Sequence, residues 1–183
     1  MAGPVYAASV ILPDDFPFFL LADSKKLSPV SREIARFAIL EGALAWGLGW
    51  ASAAEIDEIN IHKASLLAMR RSFLAMTRDM DDKKQESSAP KPKIDRVIVD
   101  GLFTPELPVA CEAMVQADGL IYAVMAASIL AKTSRDRLME YYGIFYPQYG
   151  YERHKGYPTK AHREAILRYG PSPIQRLSFR FKT

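Results

Sequence analysis

A chain of 183 residues, 49% hydrophobic and 25% charged, suits one globular domain around one core. No apolar run reaches the roughly 18 residues a membrane span needs, no basic-then-apolar leader opens the chain, and the lone Cys111 excludes an internal disulfide and a cysteine-rich zinc site; a reducing, cytoplasmic location is the expectation. The net charge of +3 says little by itself, but from Lys132 onward basic residues outnumber the four acids Asp136, Glu140, Glu152 and Glu164, and seven of the nine tyrosines lie there; this suits phosphates and stacked bases, with a solvated helical face as the plainer alternative.

Val5 to Leu12 is a short β-branched and apolar run stopped by Pro13, a predicted strand. Ser28-Pro29 fits a helix start, with Ser as N-cap and Pro at the first helical position, and the helix is expected to run to about Gly42. Leu44 to Ala51 alternates large residues with Ala and Gly, as in a strand needing close backbone approach. Ser52-Ala-Ala-Glu55 is a capping box opening a short helix. A second helix is expected from Asn60 to about Met80, with Ile61, Leu66, Met69, Phe73 and Met76 on its core face. Residues 79–95, charged and punctuated by Ser and Pro, are expected to form an exposed loop interrupting one domain. Arg96 to Asp100 and Val109 to Val115 read as strands, Ala123 to about Tyr142 as a long helix, and Thr159 to Tyr169 as a last helix stopped by Gly170-Pro171. Strands mixed with helices give an α/β class.

Asp100 ends a predicted buried strand, where open α/β sheets place ligands; an Asp-Gly turn is the bland alternative. Asp118 stands 18 residues later among apolar neighbours and either caps a helix or binds a cation. Strand-end carboxylates brought together repel, and Mg²⁺ or Mn²⁺ relieves that repulsion, although two carboxylates make a sparse site. In His154-Lys155-Gly156-Tyr157-Pro158-Thr159, His154 and Lys155 can meet phosphate oxygens, and Tyr157 can stack on a sugar or base or donate to a 2′-hydroxyl. A metal-ligand role for His154 with His162 is disfavoured by a spacing of eight and no nearby cysteine. Lys25 and Lys26 precede a helix N-terminus, where phosphate binding and a solvated lysine pair are equal alternatives. Lys132, Arg135 and Arg137 lie on the long helix, with Asp136 as their ion-pair partner.

Taken in order, the segments ADSKKLS, AWGLGWAS with EIDEINI and LLAMRR, VIVDG, AASILAKTSRDRLM, YPQYGYERHKGYPTKAH and GPSPIQRLSF resemble ribonuclease HII over nearly the whole chain except the region near residues 79–95. Each motif is weak alone; the ordered set is specific. The resemblance implies a ribonuclease H-like fold: a five-stranded mixed sheet with flanking helices in a single domain over residues 1–183, and a helical substrate-binding portion over about 143–183. It also implies metal-dependent hydrolysis, with Mn²⁺ or Mg²⁺, of the phosphodiester on the 5′ side of a ribonucleotide, in RNA–DNA hybrids or in duplex DNA with an embedded ribonucleotide. A monomer is the default. Of the four acids that the family uses, Asp100 matches the one ending the Val-Asp-Gly strand and Asp118 the one before the long helix. Tyr157 matches the tyrosine that senses the 2′-hydroxyl.

The chain also departs from the pattern. The family carries an Asp-Glu-Ala-Gly-Arg-Gly motif, with the other two acids, just ahead of Ala-Gly-Pro-Val; here Ala2-Gly3-Pro4-Val5 follows Met1 directly. The family's Gly-Asp step reads Ala117-Asp118, and Leu120 stands where a lysine is frequent. The absent segment includes a central strand, expected to pair with both Val5 to Leu12 and Arg96 to Val99. Met1 is therefore expected to be an internal methionine of a longer natural protein, and the 183-residue chain to be inactive. A catalytically dead nucleic-acid-binding remnant and a structural domain without activity are the alternatives.

Overall fold

The computed structural model describes residues 1–24, 26–86 and 92–179. Strand β1 (Val5–Ile11) pairs antiparallel with β2 (Ala45–Ala51), with Val5 opposite Ala51 and Ile11 opposite Ala45. Between them runs α1 (Pro29–Gly42), whose N-cap Ser28 accepts a hydrogen bond from the Ser31 N–H as its Ser-Pro start predicted. Helix α2 (Ala53–Glu86) follows β2. Ser52 and Glu55 close the capping box in both directions, at 2.8 and 3.1 Å. Arg71 and the capping bond hold the Glu55 carboxyl down at about 2.

Asn60 breaks α2 with a positive φ of 67°, and its side chain accepts the Lys63 N–H as a fresh N-cap, so the two predicted helices abut without a linker. The second of them runs on to Glu86 rather than ending near Met80. That shortens the loop expected over 79–95: the stretch up to Glu86 contains no Gly or Pro, and its Lys, Gln and Glu are good helix formers. Residues 87–91 of the expected loop lie outside the described residues.

The β1–β2 pair is sandwiched. Ala8, Val10, Trp46 and Leu48 face α1 and a long helix, α3 (Tyr122–Phe145), around a core of Phe16, Ile39, Ala126, Ile129 and Leu130. The opposite face lies on α2 so closely that a Cβ on Gly47 or Gly49 would sit 2.3 Å from the Met76 nitrogen or 2.2 Å from the Ala68 carbonyl oxygen. Only glycine permits that approach, which is why large residues alternate with glycine in β2.

Strand β3 (Arg96–Asp100) pairs in parallel with β4 (Ala110–Met114). The described residues thus contain two two-stranded sheets instead of the single five-stranded sheet that the resemblance implied. Among the described residues no strand lies between β1 and β3; instead both strands line one cavity of about 670 Å³, floored by Ser72 and Phe73 of α2 and roofed by Ala127 and Ser128 of α3. Each of these strands therefore has a hydrogen-bonding edge without a strand partner there, and two-stranded ribbons are marginal unless helices cover them, as α2 and α3 do. Short α4 (Tyr151–His154) and α5 (Lys160–Tyr169) complete the chain, with Thr159 capping α5 by accepting the His162 N–H.

Candidate active site

Two carboxylates, Asp100 and Asp118, line the cavity. Asp100 ends β3, and its Oδ1 accepts the Ala117 N–H at 3.0 Å. Asp118 follows in a single 3-10 turn, Ala117–Gly119, entered through Gln116 in the left-handed region at φ 61°. The Asp100–Ala117 bond pins this turn against the strand end, and Asp100 and Asp118 both line the cavity. Asp118 does not cap α3, whose N-cap is Ile121 without a side-chain bond, so the capping alternative falls. Two basic groups, Lys132 and Arg135, line the same cavity as both acids, with Tyr157. Two convergent carboxylates suit Mg²⁺ or Mn²⁺ when waters and a substrate phosphate complete the shell. Among the described residues no group of three or more His, Cys, Asp or Glu gathers as a fuller cage.

Tyr157 is 45% exposed and lies under two cations, with Arg135 Cζ 5.2 Å and Lys132 Nζ 5.9 Å from its ring centroid. Lys132 is held by Asp136 at 2.6 Å, the pairing expected from their i, i+4 spacing. The other two basic residues of α3 find different partners: Arg137 binds Glu33 of α1, and Arg135 donates to the Pro4 and Ala2 carbonyls. Arg176 donates to the Gly3 and Pro4 carbonyls from the opposite side. Burial, with Arg135 close by, pulls Arg176 down to about 10, so it remains a cation at neutral pH. Residues 2–4 are thus gripped between two guanidinium groups directly beneath the Tyr157 loop.

Two sequence expectations change. His154 does not present a free ring to phosphate: its Nε2 donates to the Tyr149 carbonyl at 2.7 Å and its Nδ1 accepts the Gly156 N–H at 3.2 Å. Lys155 is turned back on the chain, its ammonium bound to Glu140 and to the Glu152 carbonyl. In both cases the left-handed backbone at Lys155 (φ 50°) and Gly156 (φ 76°) folds the loop onto α4 and directs the polar groups inward. Lys26 is exposed ahead of α1, as a phosphate contact requires, and Lys25 lies outside the described residues. Sequence spacing also hid a pairing. His162, eight residues from His154, stacks on it with centroids 4.5 Å apart; both nitrogens of His154 and Nδ1 of His162 turn to backbone groups.

The family model described as ribonuclease HII matches residues 1–182. The chain is 50% identical to ribonuclease HII of Treponema denticola over 184 residues, covering 98% of this chain and 91% of that protein. It is 44% identical to ribonuclease HII of Desulforamulus reducens, covering 96% and 81%. Solved structures agree in fold. The ribonuclease H2 of Pyrococcus horikoshii superposes with a TM-score of 0.66 at 22% identity, covering 97% of this chain and 87% of that one. The RNase HII in a complex with PCNA from Archaeoglobus fulgidus gives 0.68 at 20%, covering 100% and 90%, and Bst-RNase HIII in complex with Mn²⁺ gives 0.66 at 13%, covering 91% and 65%.

Proposed function

The chain belongs to the ribonuclease HII family, and on that premise we propose that it acts as a monomer on RNA–DNA hybrids and on duplex DNA carrying a ribonucleotide, hydrolysing the phosphodiester beside the ribose. The observation that carries this reading is that Asp100, bonded to the turn bearing Asp118, and Asp118 itself line the cavity that Tyr157 also borders. Asp100 and Asp118 are the residues that would hold Mg²⁺ or Mn²⁺. Such an ion, when bound, supplies Lewis acidity at the phosphate and lowers the pKa of water. The chain's own part is to place the ribose. Tyr157 offers its ring to the sugar and its hydroxyl to the 2′-oxygen, the group that distinguishes RNA from DNA. Arg135 and Lys132 behind the ring keep it seated and give this end of the cavity a positive field for the phosphate backbone. Lys26, exposed before α1, is a further candidate contact for phosphate.

A second reading has its own support. Two carboxylates without a third ligating side chain among the described residues suit binding better than turnover; on this second reading the chain binds hybrids with negligible cutting. The test is a duplex containing one ribonucleotide, incubated with Mg²⁺ or Mn²⁺. We expect no product from the 183-residue chain. Product is expected from a version extended at its N-terminus by a strand bearing the family's Asp-Glu pair. Cutting by the extended version that survives both Asp100→Asn and Asp118→Asn would refute the carboxylate assignment. Salt-sensitive binding without product would establish the binder, and neither binding nor cutting would leave a purely structural domain.

A further inference from the structure

We propose that the stacked pair His154 and His162 are positioning residues that fix Tyr157 for discrimination between ribose and deoxyribose; this rests on the reading of Tyr157 as the 2′-hydroxyl contact.

The Tyr157 backbone is held at every polar atom. Its N–H donates to the His154 carbonyl at 2.9 Å. Its carbonyl accepts the Thr159 N–H at 2.8 Å and a His162 Nδ1 contact at 2.9 Å. A carbonyl can only accept, so Nδ1 of His162 carries the proton. One residue earlier, the Gly156 N–H is taken by His154 Nδ1, and the Gly156 carbonyl accepts the Ala2 N–H at 3.0 Å. Each imidazole therefore binds the chain on one side of the Gly156–Tyr157 peptide.

The two rings stack nearly parallel, at an interplanar angle of 11°, and both meet the buried Tyr151 ring edge-on, at 5.8 and 5.5 Å. Tyr151 is in turn fixed by a 2.6 Å hydrogen bond to Ser172. His162 is fully buried, and burial keeps it below the usual imidazole range and so neutral. A buried neutral imidazole aimed at one carbonyl, on a loop already capped by Thr159, is more than packing requires, since an apolar side chain fills such a space without the cost of burying a ring nitrogen. The pair acts on the loop: it sets where the Tyr157 ring stands beneath Arg135 and above the cavity mouth.

The readout is a ratio of affinities, measured with the full 183-residue chain in metal-free buffer. One probe is a duplex with a single embedded ribonucleotide, the other the same duplex all in DNA. Tyr157→Phe, which removes the hydroxyl, is expected to lower the preference for the ribonucleotide duplex about tenfold, the value of one hydrogen bond. His162→Leu is expected to lower it to a similar extent while leaving affinity for the all-DNA duplex unchanged. His162→Asn, whose amide can donate from the Nδ1 position, is expected to restore the preference. If His162→Leu fails to fold, His154→Leu, at a partly exposed position, carries the same expectation. A preference lowered by Tyr157→Phe but untouched by the histidine variants overturns the positioning role alone. A preference untouched by Tyr157→Phe overturns the reading of Tyr157 and the positioning role with it. Loss of affinity for both duplexes together in the histidine variants means that the histidines merely stabilise the fold, and also overturns the proposal.

Discussion

The two ends of the cavity are built differently. At the Tyr157 end, the polar backbone atoms of Gly156 and Tyr157 are all hydrogen-bonded, two of them to His154 and His162, while Arg135 and Arg176 hold residues 2–4 beside the loop. At the carboxylate end, Asp100 Oδ1 accepts the Ala117 N–H of the turn carrying Asp118, and β1 and β3 line the cavity without pairing to each other. The Tyr157 end is held by a dense set of bonds, and the carboxylate end borders the cavity between the two strand pairs. Preorganised recognition is rigid before substrate arrives; a pair of carboxylates needs a cation, a substrate or a further strand to bring it to its working geometry.

The sharpest way to break this contrast is at Asp100. Asparagine at this position can still accept the Ala117 N–H through its amide oxygen, so Asp100→Asn is expected to fold normally yet weaken Mn²⁺ binding by more than about 100-fold, beyond what losing even an outer partner of a metal site costs. Calorimetric titration with Mn²⁺ and a thermal melt in the same buffer check both halves. Wild-type Mn²⁺ affinity in the variant would mean that the carboxylate end is not where the ion goes.

Gly156→Ala tests the other end through stability. A Cβ there would lie 2.5 Å from the Ala2 carbonyl oxygen on a residue with φ 76°. The clash and the left-handed backbone together are expected to cost about 2–3 kcal/mol. Urea unfolding measures this. Gly119→Ala, where an added Cβ meets nothing within 4 Å, serves as the control and is expected to stay within about 0.5 kcal/mol of wild type. If the two variants are equally stable, the Tyr157 loop is not the rigid element described above.

The smallest effect is on pH. Burial lowers the His162 pKa below its ordinary 6.5, so the unfolded chain binds the proton before the folded one does. The stability that His162 contributes is fully present above about pH 6.5 and is lost as the pH falls below it, until the folded protein also protonates. His162→Asn is expected to flatten that part of the stability curve between neutral and mildly acidic pH. A curve unchanged by the substitution would mean that His162 is not buried as a neutral ring.

Much of this was readable from the chain itself. Ser28, Ser52 with Glu55, Asn60 and Thr159 each accept or exchange a bond three residues along, and such caps depend only on local backbone geometry. The alternation in β2 announced the close approach of α2 at Gly47 and Gly49. The end of α2 was misjudged because polar residues without Gly or Pro continue a helix as readily as they form a loop.

Residue identity and near-neighbour spacing fixed the helix starts, most strand limits, the family pattern and the two acids worth watching. Tertiary packing alone decided that Asp100 and the Asp118 turn would touch, that His154 would stack on His162, that Lys155 would turn back to Glu140, and that the strands would form two pairs flanking a cavity. The physical reason is range. A cap is closed by torsions within one helical turn, whereas these contacts need separate segments to be brought together by the burial of a shared core, and no short stretch of sequence carries that information.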